Sequence, residues 1–119
     1  MNVSVMPRSQ HGCDVFRFVN LLNTGQVVKA NNGVVFGYIL YNAATAVRFV
    51  KLYNKATAPA STDTPLVTIA IPASGVVQVE FVTGIQCNVG IGVRACTGLA
   101  DSDNTAPTAN DVTVNILYK

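Results

Sequence analysis

The sequence predicts an all-β fold, an antiparallel and jelly-roll-like β-sandwich with an extended N-terminal arm. Three observations lead there. No apolar stripe at i, i+3, i+4 persists over about ten residues, several segments alternate apolar and polar residues with period two, and Gly, Pro and Asn punctuate the chain at strand-like intervals. The 119 residues are half hydrophobic and 12% charged, which gives one domain with one core and is the reverse of a disordered composition.

Taken in order, residues 3–6, 15–19 and 26–29 are short apolar runs that read as the weaker strands. Residues 34–41, VVFGYILY, form the clearest strand, rich in branched and aromatic side chains and bounded by Asn31-Asn32-Gly33 and Asn42-Ala43-Ala44. Residues 47–53 follow after a short connection, and the two read as a hairpin. Residues 66–71 and 76–81 flank Pro72-Ala73-Ser74-Gly75 and read as a second hairpin, with Pro and Gly placed as turn chemistry requires. In residues 87–95, Val89, Ile91, Val93 and Ala95 alternate with Asn88, Gly90, Gly92 and Arg94. In residues 112–118, Val112, Val114, Ile116 and Tyr118 alternate with Thr113, Asn115 and Leu117. Both segments read as half-buried strands. Two long connections, 54–65 and 97–111, are built from Ala, Thr, Ser, Asp, Asn and Pro and read as exposed loops at the ends of the sandwich. Residues 25–119 make the sandwich domain, and residues 1–24 an arm or the first strands.

An antiparallel sandwich ordinarily solvates one face of each sheet, yet residues 34–41 are apolar on both faces. Gly90 and Gly92 would either admit a second backbone or side chain close to their strand or, equally simply, mark a bulge. With so few charges, a monomer would expose more apolar surface than soluble monomers usually do. The reading is an obligate oligomer or a subunit of a larger assembly, with Val34, Phe36, Tyr38, Leu40 and Tyr41 as interface residues.

Several function classes are excluded or weakened. No apolar run approaches the roughly 18 residues of a membrane span, and the amino terminus lacks the charged-then-apolar order of a secretion signal. The net charge is +2 with its basic residues scattered singly, so no basic stripe suits nucleic acid. Cys13, Cys87 and Cys96 are odd in number and far apart, which signals neither a disulfide framework nor a zinc site; they read as reduced thiols in a cytoplasmically made chain.

Catalytic groups are sparse. His11 stands two residues from Cys13 without a third orienting group. Glu80, the single glutamate, alternates with Gln78 as on a solvated strand face. Asp101-Ser102-Asp103-Asn104 offers alternating oxygens, and Asp111 a further carboxylate, but the glycine and terminal glutamate of a calcium loop are absent and a turn is the simpler reading. Tyr38, Tyr41, Phe49, Tyr53 and Tyr118 read as core or interface rather than a stacking platform. No cofactor or metal is expected.

Several blocks match a known family in order and spacing: Gly37-Tyr38-Ile39-Leu40-Tyr41-Asn42, residues 47–56, Asp63-Thr64-Pro65, Glu80-Phe81, Gly84-Ile85, residues 97–103 and residues 110–115. Over about residues 25–119 the chain resembles small β-sandwich virion structural proteins of tailed bacteriophages. The resemblance implies a non-enzymatic capsid decoration (cement) protein, assembled in the host cytoplasm, that sits on the outer capsid surface as homotrimers and binds the major capsid protein. In that setting Arg8, Phe16, Arg17, Phe18, Leu21 and Leu22 would belong to an arm that docks on the shell. The alternative is a tail- or fibre-associated carbohydrate- or receptor-binding module, and an enzyme has the least support.

Overall fold

The computed structural model describes residues 12–119; Arg8, His11 and the strand expected at 3–6 lie outside the described residues. The fold is all β. Among the described residues eight strands run in chain order: β1 (Asp14–Phe18), β2 (Gln26–Lys29), β3 (Gly33–Asn42), β4 (Arg48–Tyr53), β5 (Val67–Ile71), β6 (Gly75–Cys87), β7 (Ile91–Cys96) and β8 (Val112–Tyr118). They form two four-stranded sheets, the first in the order β1-β8-β3-β6 and the second in the order β2-β7-β4-β5. Every neighbouring pair is antiparallel.

The period-two pattern sorts each strand. Val112, Val114 and Ile116 of β8, Val35, Tyr38 and Leu40 of β3, Val50 and Leu52 of β4, Ile69 and Ile71 of β5 and Ile91, Val93 and Ala95 of β7 meet in one core, with Leu21 and Cys87 closing it. In β3 the alternation slips once, between Val35 and Gly37, where the register to both neighbouring strands shifts. That slip lets Val35 and Tyr38 both face inward although they are three residues apart.

The two expected hairpins are corrected. β3 lies in the first sheet and β4 in the second, and likewise β6 and β5, so residues 43–47 and 72–74 are crossovers between sheets. The cause is Asn42. Its buried Nδ2 donates to the carbonyls of Ala46 (2.9 Å), Ile71 (3.1 Å) and Pro72 (3.1 Å), and its Oδ1 accepts from the Ala44 N–H (2.9 Å). Ser74, at φ 49°, donates its N–H to the Ala44 carbonyl at 2.8 Å. One amide therefore braces both crossovers at a single corner.

The expected arm is also revised where it is described. β1 pairs with β8 from Asp14↔Tyr118 to Phe18↔Val114, Phe16 and Phe18 pack on the core, and Leu21 is wholly buried. Leu21 is therefore a core residue and is not available to an outside surface. Removing residues 1–24 would take a strand and a core side chain with it.

The inward and outward positions make a direct prediction. Leu40→Ala should cost about 3 kcal/mol by leaving a cavity, and Val82→Ala, on an exposed strand face, no more than about 0.5 kcal/mol. Chemical denaturation measures both, and equal losses would contradict the assignment of faces.

Candidate assembly surface

The outer faces of the two sheets are treated in opposite ways. On the second sheet, Gly92, Arg94 and Cys96 point away from the core, yet all of β7 is buried. The chain's own loops cover it. A Cβ on Gly92 would stand 2.9 Å from Pro59 Cδ, and one on Gly90 2.6 Å from Ala56 Cα, so the loop after β4 lies against the bare backbone of this strand. The long loops are exposed over most of their length, as expected, and they also cover this strand, with Pro59 and Pro107 buried.

Beneath that cover lie two fully buried cations, Arg94 and Lys51. They are direct cross-strand partners, Lys51↔Arg94, an arrangement that is unfavourable for like charges. The compensation comes from oxygen atoms of the covering segments. Arg94 Nε donates to the Asn23 carbonyl (2.9 Å), Nη1 to Tyr53 Oη (3.1 Å), and Nη2 to Asn104 Oδ1 (2.8 Å), the Asp103 carbonyl (3.3 Å) and Cys96 Sγ (3.3 Å). Lys51 Nζ donates to the Ala100 carbonyl. Asn23 Nδ2 in turn donates to the Asn104 carbonyl at 2.9 Å. Burial pushes the Tyr53 phenol and the Cys96 thiol above their ordinary pKa values, against the opposing pull of Arg94 on both. Cys87 is raised by burial as well. Cys87 is a small core group, Cys96 is buried under the loop cover, and Cys13 is exposed.

The loop at Asp101–Asn104 is explained by the same node. The Asp103 carboxylate accepts from the Thr105 N–H at 3.0 Å, and the Asp103 N–H donates to the Ala100 carbonyl at 2.9 Å. This is turn chemistry. Among the described residues no three His, Cys, Asp or Glu side chains are grouped to hold a metal ion. Ion pairs fasten the remaining loops: Arg48 Nε to Asp111 Oδ2 at 3.1 Å, and Lys55 Nζ to Asp63 Oδ2 at 2.6 Å. The Lys55 hydrogen bond, followed by the Ala60 N–H, holds the Asp63 carboxyl below the usual carboxylate range.

Among the described residues the first sheet has no such cover. Three rows cross its outer face, Val15-Leu117-Gly37-Glu80, Arg17-Asn115-Ile39-Gln78 and Thr113-Tyr41-Val76. Val15 is 56% exposed, Tyr41 49%, Val76 53% and Val82 83%, so large apolar groups stand in solvent at both margins. Near the Gly33 end of β3, Val34 and Phe36 pack over Gly84, whose φ of 83° and lack of a side chain are both required there, since a Cβ would collide with them. Tyr41, Ala43, Ser74 and Val76 line an open depression of about 480 Å³ beside Asn42.

Of the residues expected at an interface, Tyr41 is exposed and Val34 and Phe36 are half-buried, whereas Leu40 and Tyr38 are core. Tyr38 meets Phe81 edge-on at 5.6 Å, and burial raises its pKa. Those two are corrected: the slip at Phe36 turns them inward. Of the docking residues, Arg17 is exposed, Phe16, Phe18 and Leu22 are half-buried, and Leu21 is interior. Sequence reasoning missed Val76 and Val82 as surface residues and Arg94 as a buried organiser. The outward alternation of Val76, Gln78, Glu80 and Val82 was the available signal for the first group; nothing local distinguishes Arg94 from a solvated arginine.

No protein-family model matches the chain, and no curated protein matches it.

Two predictions follow the electrostatics. Arg94→Met leaves several buried oxygens without a donor and should cost about 3 kcal/mol or more, while Lys51→Met loses one hydrogen bond but relieves a like-charge pair and should cost about 1 kcal/mol or less. Equal losses in denaturant would place the organising role elsewhere. For Asp63, a depressed pKa means that its contribution is complete above about pH 4, the unfolded value, and disappears as pH falls through the lower folded value. Asp63→Asn should therefore flatten the acid limb of the stability curve, and an unchanged limb would show that the pair contributes nothing.

Proposed function

We propose that the chain is a non-enzymatic virion structural protein of a tailed bacteriophage, a capsid decoration protein that self-associates as trimers and binds the major capsid protein on the outer surface of the shell. The observation that carries this reading is the asymmetry between the sheets: on one outer face the chain's own loops cover β7 and the adjoining Lys51, whereas on the other Val15, Tyr41, Val76 and Val82 stand in solvent. Large apolar groups exposed together on one sheet face are suited to burial against neighbours. The strand pairing adds support. β1·β8, β2·β7, β3·β6 and β4·β5 are the four rungs of one long hairpin ribbon folded over on itself, the wrapping of a jelly roll, an architecture frequent among viral shell proteins. The family resemblance over residues 25–119 points the same way. On a shell strained by packaged DNA, each trimer would bridge several capsid subunits, and multivalent contacts need not be individually strong.

A second reading, a tail-borne carbohydrate- or receptor-binding module, draws support from the depression beside Tyr41, where an exposed aromatic ring adjoins Ser74 and Val76. Mixing the purified chain with undecorated heads and sedimenting the particles distinguishes the two. Decoration predicts saturable co-sedimentation with heads and no binding of glycans. Absence of binding to heads, together with glycan binding that Tyr41→Ala abolishes, would replace the first reading by the second.

A further inference from the structure

The first sheet ends on two strands that have no outer neighbour among the described residues, β1 on one side and β6 on the other. Exposed edges are templates for further pairing, and proteins that avoid it place lysine or proline there. Neither strand contains either residue. Three successive antiparallel steps, β1 to β8, β8 to β3 and β3 to β6, leave β1 and β6 running in opposite directions. A second copy set beside the first in the same orientation therefore offers its β1 antiparallel to β6.

We propose that the first sheet continues from copy to copy, with β1 of one chain paired to β6 of the next in the register Arg17↔Glu80. This deepens the reading of the chain as a self-assembling subunit and rests on it. The register is fixed by what it matches on each face. Outward, it sets Arg17 against Glu80 and Val15 against Val82. Arg17 and Glu80 are both exposed, and neither has an ion-pair partner among the described residues; Val15 and Val82 are large exposed aliphatics at opposite margins. Inward, the same register sets Phe16 against Phe81 and Phe18 against Val79, all of which pack on the core while only partly buried. Phe16 and Phe18 stack at 6.0 Å on one margin, and Phe81 meets Tyr38 on the other, so the seam joins two aromatic groups that each chain leaves incomplete. A slip of one residue would put every side chain on the wrong face, and a slip of two would separate the single exposed cation of β1 from the single acid of β6. Because the two edges differ, the contact is heterologous and builds a ring when the rotation closes.

The test uses the full chain with Cys13→Ser as background, carrying either Arg17→Cys or Glu80→Cys. Directly opposed residues in an antiparallel pair lie within disulfide reach. Under mild oxidation, an equimolar mixture of the two variants should give a cross-linked dimer, and each variant alone should not. A variant that cross-links with itself, or a mixture that stays uncross-linked, overturns the proposal. Light scattering provides the second measurement. Arg17→Glu and Glu80→Arg, each checked for an unchanged melting temperature, should weaken self-association about tenfold, and the double reversal should restore it. Self-association unaffected by the single reversals overturns the register while leaving the shell-subunit reading intact. A wild-type chain that is monomeric at micromolar concentration overturns both.

Discussion

Two positive charges face each other on adjacent strands of the second sheet, shut away from water, and the arrangement of the loops follows from that constraint. Arg94 and Lys51 stand as cross-strand partners, and each would lose far more than it gains from burial if its donors found no acceptors. The acceptors come from segments remote in sequence: Asn23 before β2, Ala100, Asp103 and Asn104 after β7, and the phenol of Tyr53 at the end of β4. Backbone carbonyls at fixed positions do here what a carboxylate does in an ion pair. They also specify which loop conformation is acceptable, because a displaced Asp103 or Asn23 would strand a guanidinium donor.

A second polar residue plays the matching part in the first sheet. Asn42 closes β3 and ties the crossover to β4 to the crossover from β5, so the angle between the sheets at that end depends on one side-chain amide. Between them, Asn42 and Arg94 organise the connections, while the aliphatic core sets only which face of each strand turns inward. The core residues could be exchanged for others of similar volume with modest loss; the amide and the guanidinium have no such substitutes, because their value lies in donor geometry.

The strands themselves were legible because period-two alternation is a local property, and β3, β7 and β8 carry it plainly. Partnership was not. A connection of three to five residues serves a hairpin or a step between sheets equally well, and the deciding contacts of Asn42 are to residues about thirty positions away. Leu21 likewise reads as part of an arm until β1 is seen to pair with the distant β8. The candidate surface was half legible: Tyr41 was found, but the slip at Phe36 reversed the facing of Tyr38 and Leu40, and no sequence pattern announces a bulge that lacks a glycine at its centre. Arg94 alternates with apolar neighbours as a solvated residue would, and only the glycines at 90 and 92, which admit Ala56 and Pro59, hinted at a cover.

The pairing of β1 with β8 has a kinetic side. The partners Asp14 and Tyr118, and Phe18 and Val114, are separated by roughly a hundred positions, so closing this ladder carries the largest loop entropy in the fold. β4 and β5, joined through residues 54–66, face a much smaller cost, and the second sheet can begin to assemble from them. During synthesis β1 emerges long before its partner exists, and its aromatic face stays unpaired until β8 leaves the ribosome. Topologies of this kind reach the native state slowly, and the interval in which Phe16 and Phe18 are without a neighbour is set by the time needed to translate the rest of the chain.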